Sequence, residues 1–431
     1  MTRKQARLPL EQPIWSERIA DALGVNVHMS FRTTVYGNTA AVVDLVKALG
    51  ARHIRDHMVP ANGAQQWGFA QLRAAGIKTH VTLGSIGQTP MSAGDMDALL
   101  APIVEHPRRY WSVANVNEPQ SAEGWVSRVR DHQKLIHDRL TALGLRDRVH
   151  TVGPALQDTS PTLDQDYAAL AATDISRWSD FGDYHRYPLS GSPGPRPTPA
   201  SLQDDRISMA EAAYGPQVFC TEGGFNTGVD LPVGVGGSPI PDDVFEVYAP
   251  RLWFELVERR VKRIFMYELL NDPDDPPSTW EAWFGLVNVP GDALTSPDRW
   301  TTKPAFTALS HLAGQLDDRN HRYNVDHNPY VPSPIRLQVN PEAPDVRHLV
   351  VGKHDGSASV YLWRDAPIWD KTTRTRLSVP VVDVHIERPE RSWVVPVGPQ
   401  IVSLPVKGPN VVAQPAPHHH KTSHHQKASQ R

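Results

Sequence analysis

The most constraining feature of this 431-residue chain is a regular alternation of apolar runs and amphipathic segments between residues 24 and 313. Short apolar runs are typical of buried strands, whereas apolar residues at every third or fourth position are typical of helices. Eight strand–helix units follow one another over roughly 290 residues, which is the length and rhythm of a (β/α)8 barrel. The predicted fold class is therefore α/β, with a TIM barrel over residues 24–315.

The unit boundaries follow from capping and stop signals as well as from periodicity. Asn38 or Thr39 is predicted to cap the first helix, and Gly50 to end it. A doubly wound open sheet is the alternative, but no glycine-rich dinucleotide-binding loop follows the first strand. The predicted strands cover 24–28, 52–56, 77–83, 111–117, 149–153, 180–187, 218–222 and 261–269; the predicted helices cover 40–49, 67–75, 95–104, 125–143, 163–172, 202–214, 243–259 and 303–312.

The pattern changes after about residue 314, where short strands alternate with turn residues. Runs at 347–353, 358–363, 379–386, 393–397 and 400–404 predict a small all-β sandwich domain over 330–412. No strand is evident before Gly24, so residues 1–23 are interpreted as an N-terminal extension. The histidine-rich tail, 413–431, is predicted to be disordered. The loops 190–197 and 233–241 follow strand ends and are expected to border a cleft.

Composition narrows the range of partners. The net charge of −3 gives no case for nucleic acid or an anionic membrane as a partner. The chain shows no signal peptide and no transmembrane span, so its compartment stays open, and a monomer or weak homo-oligomer is expected. Its one cysteine, Cys220, excludes an intrachain disulfide and is interpreted as a small buried residue.

Two glutamates lie at the ends of predicted strands and indicate a catalytic site. Glu118 follows the fourth strand in the segment 111–119, and Glu222 ends the seventh in 217–224. In a barrel, the carboxyl ends of the strands meet at the active-site face. Two carboxylates across a cleft are what glycosidic bond cleavage needs, because one protonates the leaving oxygen and the other attacks the sugar or activates water.

The tripeptide Asn117-Glu118-Pro119, together with Glu222, resembles clan A of the glycoside hydrolases over about two-thirds of the chain. The resemblance implies that Glu118 is the acid/base and Glu222 the nucleophile of a retaining, two-glutamate double displacement on an oligo- or polysaccharide, with no cofactor. Arg55 resembles the clan's arginine near the nucleophile. His185 and Tyr187 resemble the pair on the sixth strand, whose tyrosine donates a hydrogen bond to the nucleophile.

Elementary electrostatics supports these roles. An arginine beside Glu222 would keep it ionised, as a nucleophile requires. Asn117 could hydrogen-bond the sugar 2-hydroxyl, and carboxyl groups about 5 Å apart would imply retention of configuration. The structural alternatives are that Arg55 is an ion-pair partner of a nearby aspartate, Asp56 or Asp183, and that His185 and Tyr187 are packed barrel residues.

The eighth strand departs from the clan pattern. The segment 265–272 has no tryptophan where many members place a stacking platform, although Trp280 or Trp283 could fill that role. Its Tyr-Glu-Leu sequence resembles family 5-like or family 39-like barrels. Glu268 is a third carboxylate near the mouth of the barrel. It either binds a sugar hydroxyl or holds an arginine or lysine side chain in a structural role.

Histidines at the ends of the first strands raise the question of a metal. His28, His57 and His80 lie there, but the first strand lacks the His-x-His of metal-dependent barrel hydrolases. His28 and His57 are therefore interpreted as hydrogen-bonding or sugar-contacting residues, and no metal is predicted. A carbohydrate-binding pseudoenzyme and a transglycosylase on the same site are the alternatives to hydrolysis.

Overall fold

The computed structural model describes residues 8–89, 91–231, 238–272 and 279–407. The predicted tail 413–431 and most of the loop 233–241 lie outside the described residues. The barrel region consists of β3 (Leu23–Asn26), α2 (Thr39–Leu49), β4 (His53–His57), α3 (Gly63–Ala74), β5 (Lys78–Thr82), α4 (Ala93–Glu105), β6 (Tyr110–Ala114), α5 (Trp125–Ala142), β7 (His150–Val152), α6 (Leu163–Ala171), β8 (Gly182–Arg186), α7 (Gln203–Tyr214), β9 (Val218–Gly224), α8 (Asp242–Glu258), β10 (Arg263–Tyr267) and α9 (Pro304–Leu316).

The eight parallel strands form one sheet in the order β7-β6-β5-β4-β3-β10-β9-β8. A parallel bridge between Val152 in β7 and Phe181, just before β8, brings the two outer strands together. The sheet is thus a nearly closed barrel with a helix after each strand, which confirms the predicted α/β fold class. The carboxyl ends of all eight strands meet at one face of the barrel.

Local signals explain where the first helices begin and end. Gly50 has a φ of 80°, a left-handed conformation that ends α2 as predicted. The second helix begins at Gly63, before the predicted Trp67, because the Asn62 side chain accepts a hydrogen bond from the Gln65 amide and caps it. A cap can therefore extend a helix beyond its apolar stripe.

The C-terminal region forms two antiparallel sheets around an apolar core of their own. Its strands are β13 (Ile335–Arg336), β14 (Gln338–Pro341), β15 (Val346–Gly352), β16 (Ala358–Arg364), β17 (Trp369–Asp370), β18 (Thr375–Arg376), β19 (Val382–Glu387), β20 (Ser392–Val397) and β21 (Val402–Lys407). One sheet has the order β14-β19-β20, and β15, β16 and β21 lie in the other. Buried residues from both sheets, such as Val360 and Ile386, share one cluster, which makes this region a sandwich.

The expectation that no strand precedes Gly24 is wrong. Residues 10–22 form β1 (Leu10–Glu11), β2 (Ile14–Trp15) and the helix α1 (Ser16–Ala22). The strand β2 pairs in parallel with β15 and so joins the sandwich sheet, while β1 pairs with β13. These strands are only two residues long, so they carry no detectable alternation and exist through pairing with distant partners.

The sandwich packs directly on the barrel. Trp363 of β16 is fully buried, and its indole N–H donates to Glu255 Oε1 of α8 at 2.6 Å. In the same helix, Arg251 forms an ion pair with Asp365 at 2.8 Å. Buried polar groups that are paired across an interface fix how the two parts fit together. Over the described ranges, no helix combines the length and apolar character that crossing a membrane requires.

Candidate active site

Glu118 and Glu222 face each other at the carboxyl ends of β6 and β9. The strand β6 ends at Ala114 and not at the predicted Asn117, so Glu118 lies in the loop that follows. Its φ of 41° is left-handed, a conformation that non-glycine residues adopt rarely and that is enriched at functional sites. Glu222, by contrast, lies within β9, where its backbone is held by the sheet.

The Glu222 carboxylate is buried and held from two sides. Arg55 Nη1 donates to Oε1 at 2.6 Å, and the Tyr187 hydroxyl donates to Oε2 at 2.7 Å. Burial alone would raise the pKa of Glu222, but the positive charges of His185 and Arg55 and the two hydrogen bonds outweigh it. The pKa of Glu222 therefore lies below its ordinary value, and the carboxylate is ionised at neutral pH.

Glu118 has a different environment. His185 Nδ1 lies 2.7 Å from Glu118 Oε1 and 3.4 Å from Glu222 Oε2, so the imidazole stands between the two carboxylates. Burial would lower the pKa of His185, but the charges of Glu222 and Glu118 and the hydrogen bond to Glu118 raise it overall. The raised pKa of His185 thus allows its imidazole to hold a proton beside an ionised Glu222.

The separation of the two glutamates is short. One carboxylate oxygen of Glu118, one of Glu222 and a ring nitrogen of His185 all lie within 4.8 Å of one another. Arg55 also donates through Nη2 to Asn117 Oδ1 at 2.6 Å, so one guanidinium orients both Asn117 and Glu222. The structure brings together Glu118, Glu222, Asn117, Arg55, His185 and Tyr187.

A cavity of about 420 Å³ opens above these groups. Its volume lies within the range of small-molecule sites, and side chains at or beyond the carboxyl ends of all eight barrel strands contribute to its wall. Phe31, Tyr267 and Trp280 give the wall an aromatic side, whereas Gln157 and Thr159 make the wall near Glu118 polar. Aromatic faces beside polar groups suit a ring that carries hydroxyls.

His28 lies beyond the end of the first barrel strand, which stops at Asn26 and not at the predicted residue 28. It lines the cavity, and its Nε2 lies 3.2 Å from Glu268 Oε2. Glu268 is buried and also accepts a hydrogen bond from the Tyr36 hydroxyl at 2.7 Å. Glu268 therefore orients His28 from behind the wall and is not itself among the described residues that line the cavity.

Of His57, Trp280 and Trp283, the first two line the cavity. His57 lines it, with Nδ1 3.1 Å from the Thr82 hydroxyl. Trp280 also lines the cavity, whereas Trp283 is not among the described lining residues. The Trp283 ring packs so closely on Gly228 that a Cβ at Gly228 would meet it. The Trp283 carbonyl accepts hydrogen bonds from Thr227, which ties the loop after β10 to the loop after β9. A contact between Trp283 and substrate stays a prediction.

Asp56 and Asp183, the aspartates expected as alternative ion-pair partners of Arg55, are both buried near the site. Asp56 lines the cavity, and burial raises its pKa to about 6, although Gln65 and other donors partly oppose that. Asp183 lies beneath the site, where burial raises its pKa to about 7 and the Thr221 hydroxyl donates to it at 2.7 Å. Arg55 has Glu222 as its carboxylate partner, and among the described residues neither aspartate forms an ion pair with it.

A cation would find ligands here as well. Among the described residues, Glu118, His185 and Glu222 are the group of potential metal ligands close enough to share one ion. Arg55 already forms an ion pair with the Glu222 carboxylate, which such an ion would also need as a ligand. The fixed positive charge of Arg55 disfavours a second cation there.

Comparisons with known proteins address the fold. No protein-family model matches the chain, and no curated protein matches it in sequence. Three similar structures are a β-glucosidase from Exiguobacterium marinum (TM-score 0.50, 12% identity, covering 70% of this chain and 99% of that one), the AHE enzyme from Alicyclobacillus herbarius (0.50, 13%, 72% and 100%) and a GH2 β-galacturonidase from Eisenbergiella tayi bound to galacturonate (0.50, 12%, 73% and 54%). At such low identities the likeness concerns architecture. The chain has the eight-stranded α/β barrel fold that these three structures share with it.

Proposed function

We propose that the chain is a retaining glycoside hydrolase acting on a carbohydrate substrate. The observation that carries the proposal is the pair of glutamates whose carboxylate oxygens come within 4.8 Å across the cavity floor. Retaining enzymes place their carboxyl groups about 5–5.5 Å apart, whereas inverting enzymes leave about 6.5–9.5 Å for a water molecule. The short separation favours direct attack on the sugar by one of the two.

The unequal environments of the two glutamates support different roles for them. Glu222 is held ionised by Arg55 and Tyr187, so it attacks the anomeric carbon as the glycosidic C–O bond breaks. Glu118, which lies within hydrogen-bond distance of His185, acts as the general acid and gives a proton to the departing oxygen. The products of this first step are a glycosyl ester on Glu222, a free alcohol and an ionised Glu118.

The second step reverses these roles. Glu118, now a carboxylate, takes a proton from water while the water oxygen attacks the anomeric carbon and the ester to Glu222 breaks. Two displacements at one carbon restore its original configuration. Asn117, oriented by Arg55, is placed to hydrogen-bond the sugar 2-hydroxyl in both steps.

The test is turnover of a panel of aryl β-glycosides, aryl α-L-glycosides and polysaccharides, with the first-formed anomer identified by NMR. We expect hydrolysis of at least one member with retained configuration. An inverted first product would overturn the retaining mechanism. Absence of turnover, with glycan binding intact, would replace the proposal by the binding-protein alternative.

Replacing Arg55 by methionine should move the acid limb of the pH profile. In the wild type the pKa of Glu222 is lowered, so activity is lost only as pH falls through that low value. Without the guanidinium, less positive charge opposes the effect of burial, and the pKa of Glu222 rises. A hydrogen bond to a charged group contributes about 1.5–3 kcal/mol, equivalent to roughly one to two pKa units. We expect the limb of kcat/KM to move upward by that amount and kcat/KM at neutral pH to fall about 10- to 100-fold.

The matched control for this change is Arg55→Lys, which keeps a cation but loses the two-pronged contact to Asn117 and Glu222. Its acid limb should stay closer to that of the wild type than the limb of the methionine variant. Identical limbs in all three proteins would show that Arg55 does not control the ionisation of Glu222.

A further inference from the structure

A hairpin of the sandwich domain reaches the loops that border the cavity. Residues 366–377, here called the clasp hairpin, contain β17 and β18 and lie against the barrel. The amide of Ile368 donates to the Tyr248 hydroxyl of α8 at 3.0 Å, and Arg376 pairs with Asp243 at the start of α8. The buried Ile368 contact fixes the hairpin beside the loops after β8 and β9, whereas the exposed pair between Arg376 and Asp243 contributes little.

Lys371 of the clasp hairpin holds the loop after β8 through backbone carbonyls. Its ammonium donates to the Leu189 carbonyl at 2.6 Å and to the Ser192 carbonyl at 2.7 Å, and its own amide donates to the Pro195 carbonyl at 2.8 Å. Charged donors make stronger hydrogen bonds than neutral ones. Three contacts from one residue therefore set the course of this loop.

The two ammonium contacts bracket Ser190, a residue of the cavity wall. Leu189 immediately precedes Ser190, and Ser192 follows two residues later. Arg186 reaches the same loop from the inside, where its guanidinium contacts the Ser192 hydroxyl. Burial, and then the nearby charge of Arg186, lower the pKa of Lys371, as expected for an ammonium held against the barrel wall.

Tyr187, which contacts Glu222, is held by groups other than Lys371. Its amide donates to Asp158 Oδ2 at 2.9 Å, and Asp158 forms buried ion pairs with Arg186 and Arg206. Loss of Lys371 should therefore displace Ser190 while leaving the hydrogen bond from Tyr187 to Glu222 in place. The expected effect is on substrate binding and not on the chemical step.

A second residue of the hairpin holds the neighbouring loop. Arg374, whose φ of 52° is left-handed, donates through Nη1 to the carbonyls of Val229 and Leu231 at 3.1 and 2.9 Å. A Cβ at Gly228 would meet Leu231 and Trp283, so this loop packs against the loop after β10. The same hairpin thus contacts two of the loops at the active-site face.

We propose that Lys371 is a positioning residue of the active site, through which the sandwich domain fixes Ser190 in the cavity wall. The inference rests on the proposed function, since it assigns Ser190 to substrate binding. The sandwich domain accordingly contributes to the site on the barrel through its hairpin, in addition to its packing.

The test compares Lys371→Met, Lys371→Arg, Ser190→Ala and the double variant Lys371→Met/Ser190→Ala in the full chain. Arg376→Met is the control, because it removes a cation from the same hairpin whose partner is an exposed carboxylate of α8. We expect Lys371→Met to raise KM about 10-fold with kcat within about threefold, which is the signature of lost uniform binding. Lys371→Arg should recover part of this effect, and Arg376→Met should leave KM unchanged.

The double variant should show a KM effect smaller than the product of the two single effects, since both changes act through Ser190. Hydrogen exchange supplies a readout that needs no turnover, and the loop 188–197 should exchange faster in Lys371→Met. Unchanged exchange, or faster exchange with unchanged KM, would overturn the proposal. If the wild type hydrolyses nothing in the panel, the proposed function fails, while exchange still decides whether Lys371 holds this loop.

Discussion

Replacing Glu222 by alanine is expected to abolish hydrolysis, and azide is expected to restore turnover with inverted configuration. Removing the nucleophile of a catalytic unit costs on the order of 10⁶ in kcat. The loss should be this large because Arg55 and Tyr187 both hold the Glu222 carboxylate in place as the nucleophile. Water in the space that alanine leaves is a much weaker nucleophile than that carboxylate.

Azide should succeed where water fails because it is a small, strong anionic nucleophile. In Glu222→Ala it can enter the vacated space, where Arg55 still provides a positive charge. It would then attack the anomeric carbon from the face that Glu222 used, while Glu118 protonates the leaving oxygen. One displacement replaces two, so the glycosyl azide would carry the inverted configuration.

The measurement is the rate of aryl glycoside turnover with and without azide, with the azide product assigned by NMR. Glu281→Ala is the control, since Glu281 also lines the cavity but lies on the loop after β10. It should keep activity within about tenfold, since it removes no group of the proposed catalytic unit, and it should not respond to azide. A folded Glu222→Ala protein with near wild-type activity would contradict the two-glutamate mechanism.

The sequence predicted those parts of the fold and site that depend on local pattern. Strand and helix periodicity located all eight barrel units, because the strands are largely buried on both faces and most of the helices have an apolar stripe. Once the units were ordered, the barrel itself placed Arg55 on β4 and Glu222 on β9 at the same face. The contacts that Arg55 and Tyr187 make with Glu222, at 2.6 and 2.7 Å, are those that the resemblance to clan A implies, and strand periodicity alone does not predict them.

The features that the sequence did not predict depend on distant or non-repeating contacts. The strand β2 exists because it pairs with β15, and nothing in the two residues Ile14 and Trp15 signals that pairing. The left-handed backbone at Glu118 places it in a loop beyond the end of β6, where strand periodicity no longer applies. The Lys371 contacts to the loop after β8 likewise join residues almost two hundred positions apart, which no local pattern encodes.

Replacing Glu118 by alanine should produce a loss that depends on the leaving group, in contrast to the uniform loss in Glu222→Ala. General acid catalysis contributes about 10²- to 10⁴-fold, and a poor leaving group such as a sugar or an alkyl alcohol needs all of it. A dinitrophenolate leaves without being protonated and so needs little general acid catalysis. Formation of the glycosyl ester on Glu222 should therefore stay fast with dinitrophenyl glycosides. Hydrolysis of that ester should be slow, because no carboxylate remains beside His185 to activate water.

The kinetic consequence is a burst of phenolate release followed by a slow steady state, measured by stopped flow over a series of aryl leaving groups. Azide should again accelerate turnover, but here it would intercept the ester on Glu222 from the opposite face and give the retained glycosyl azide. The two variants therefore predict opposite anomers from one reagent, which separates the roles of carboxylates lying within 4.8 Å of each other. A loss in Glu118→Ala that is equal for all leaving groups, with no burst, would contradict the acid/base assignment, since proton donation matters in proportion to the basicity of the departing oxygen.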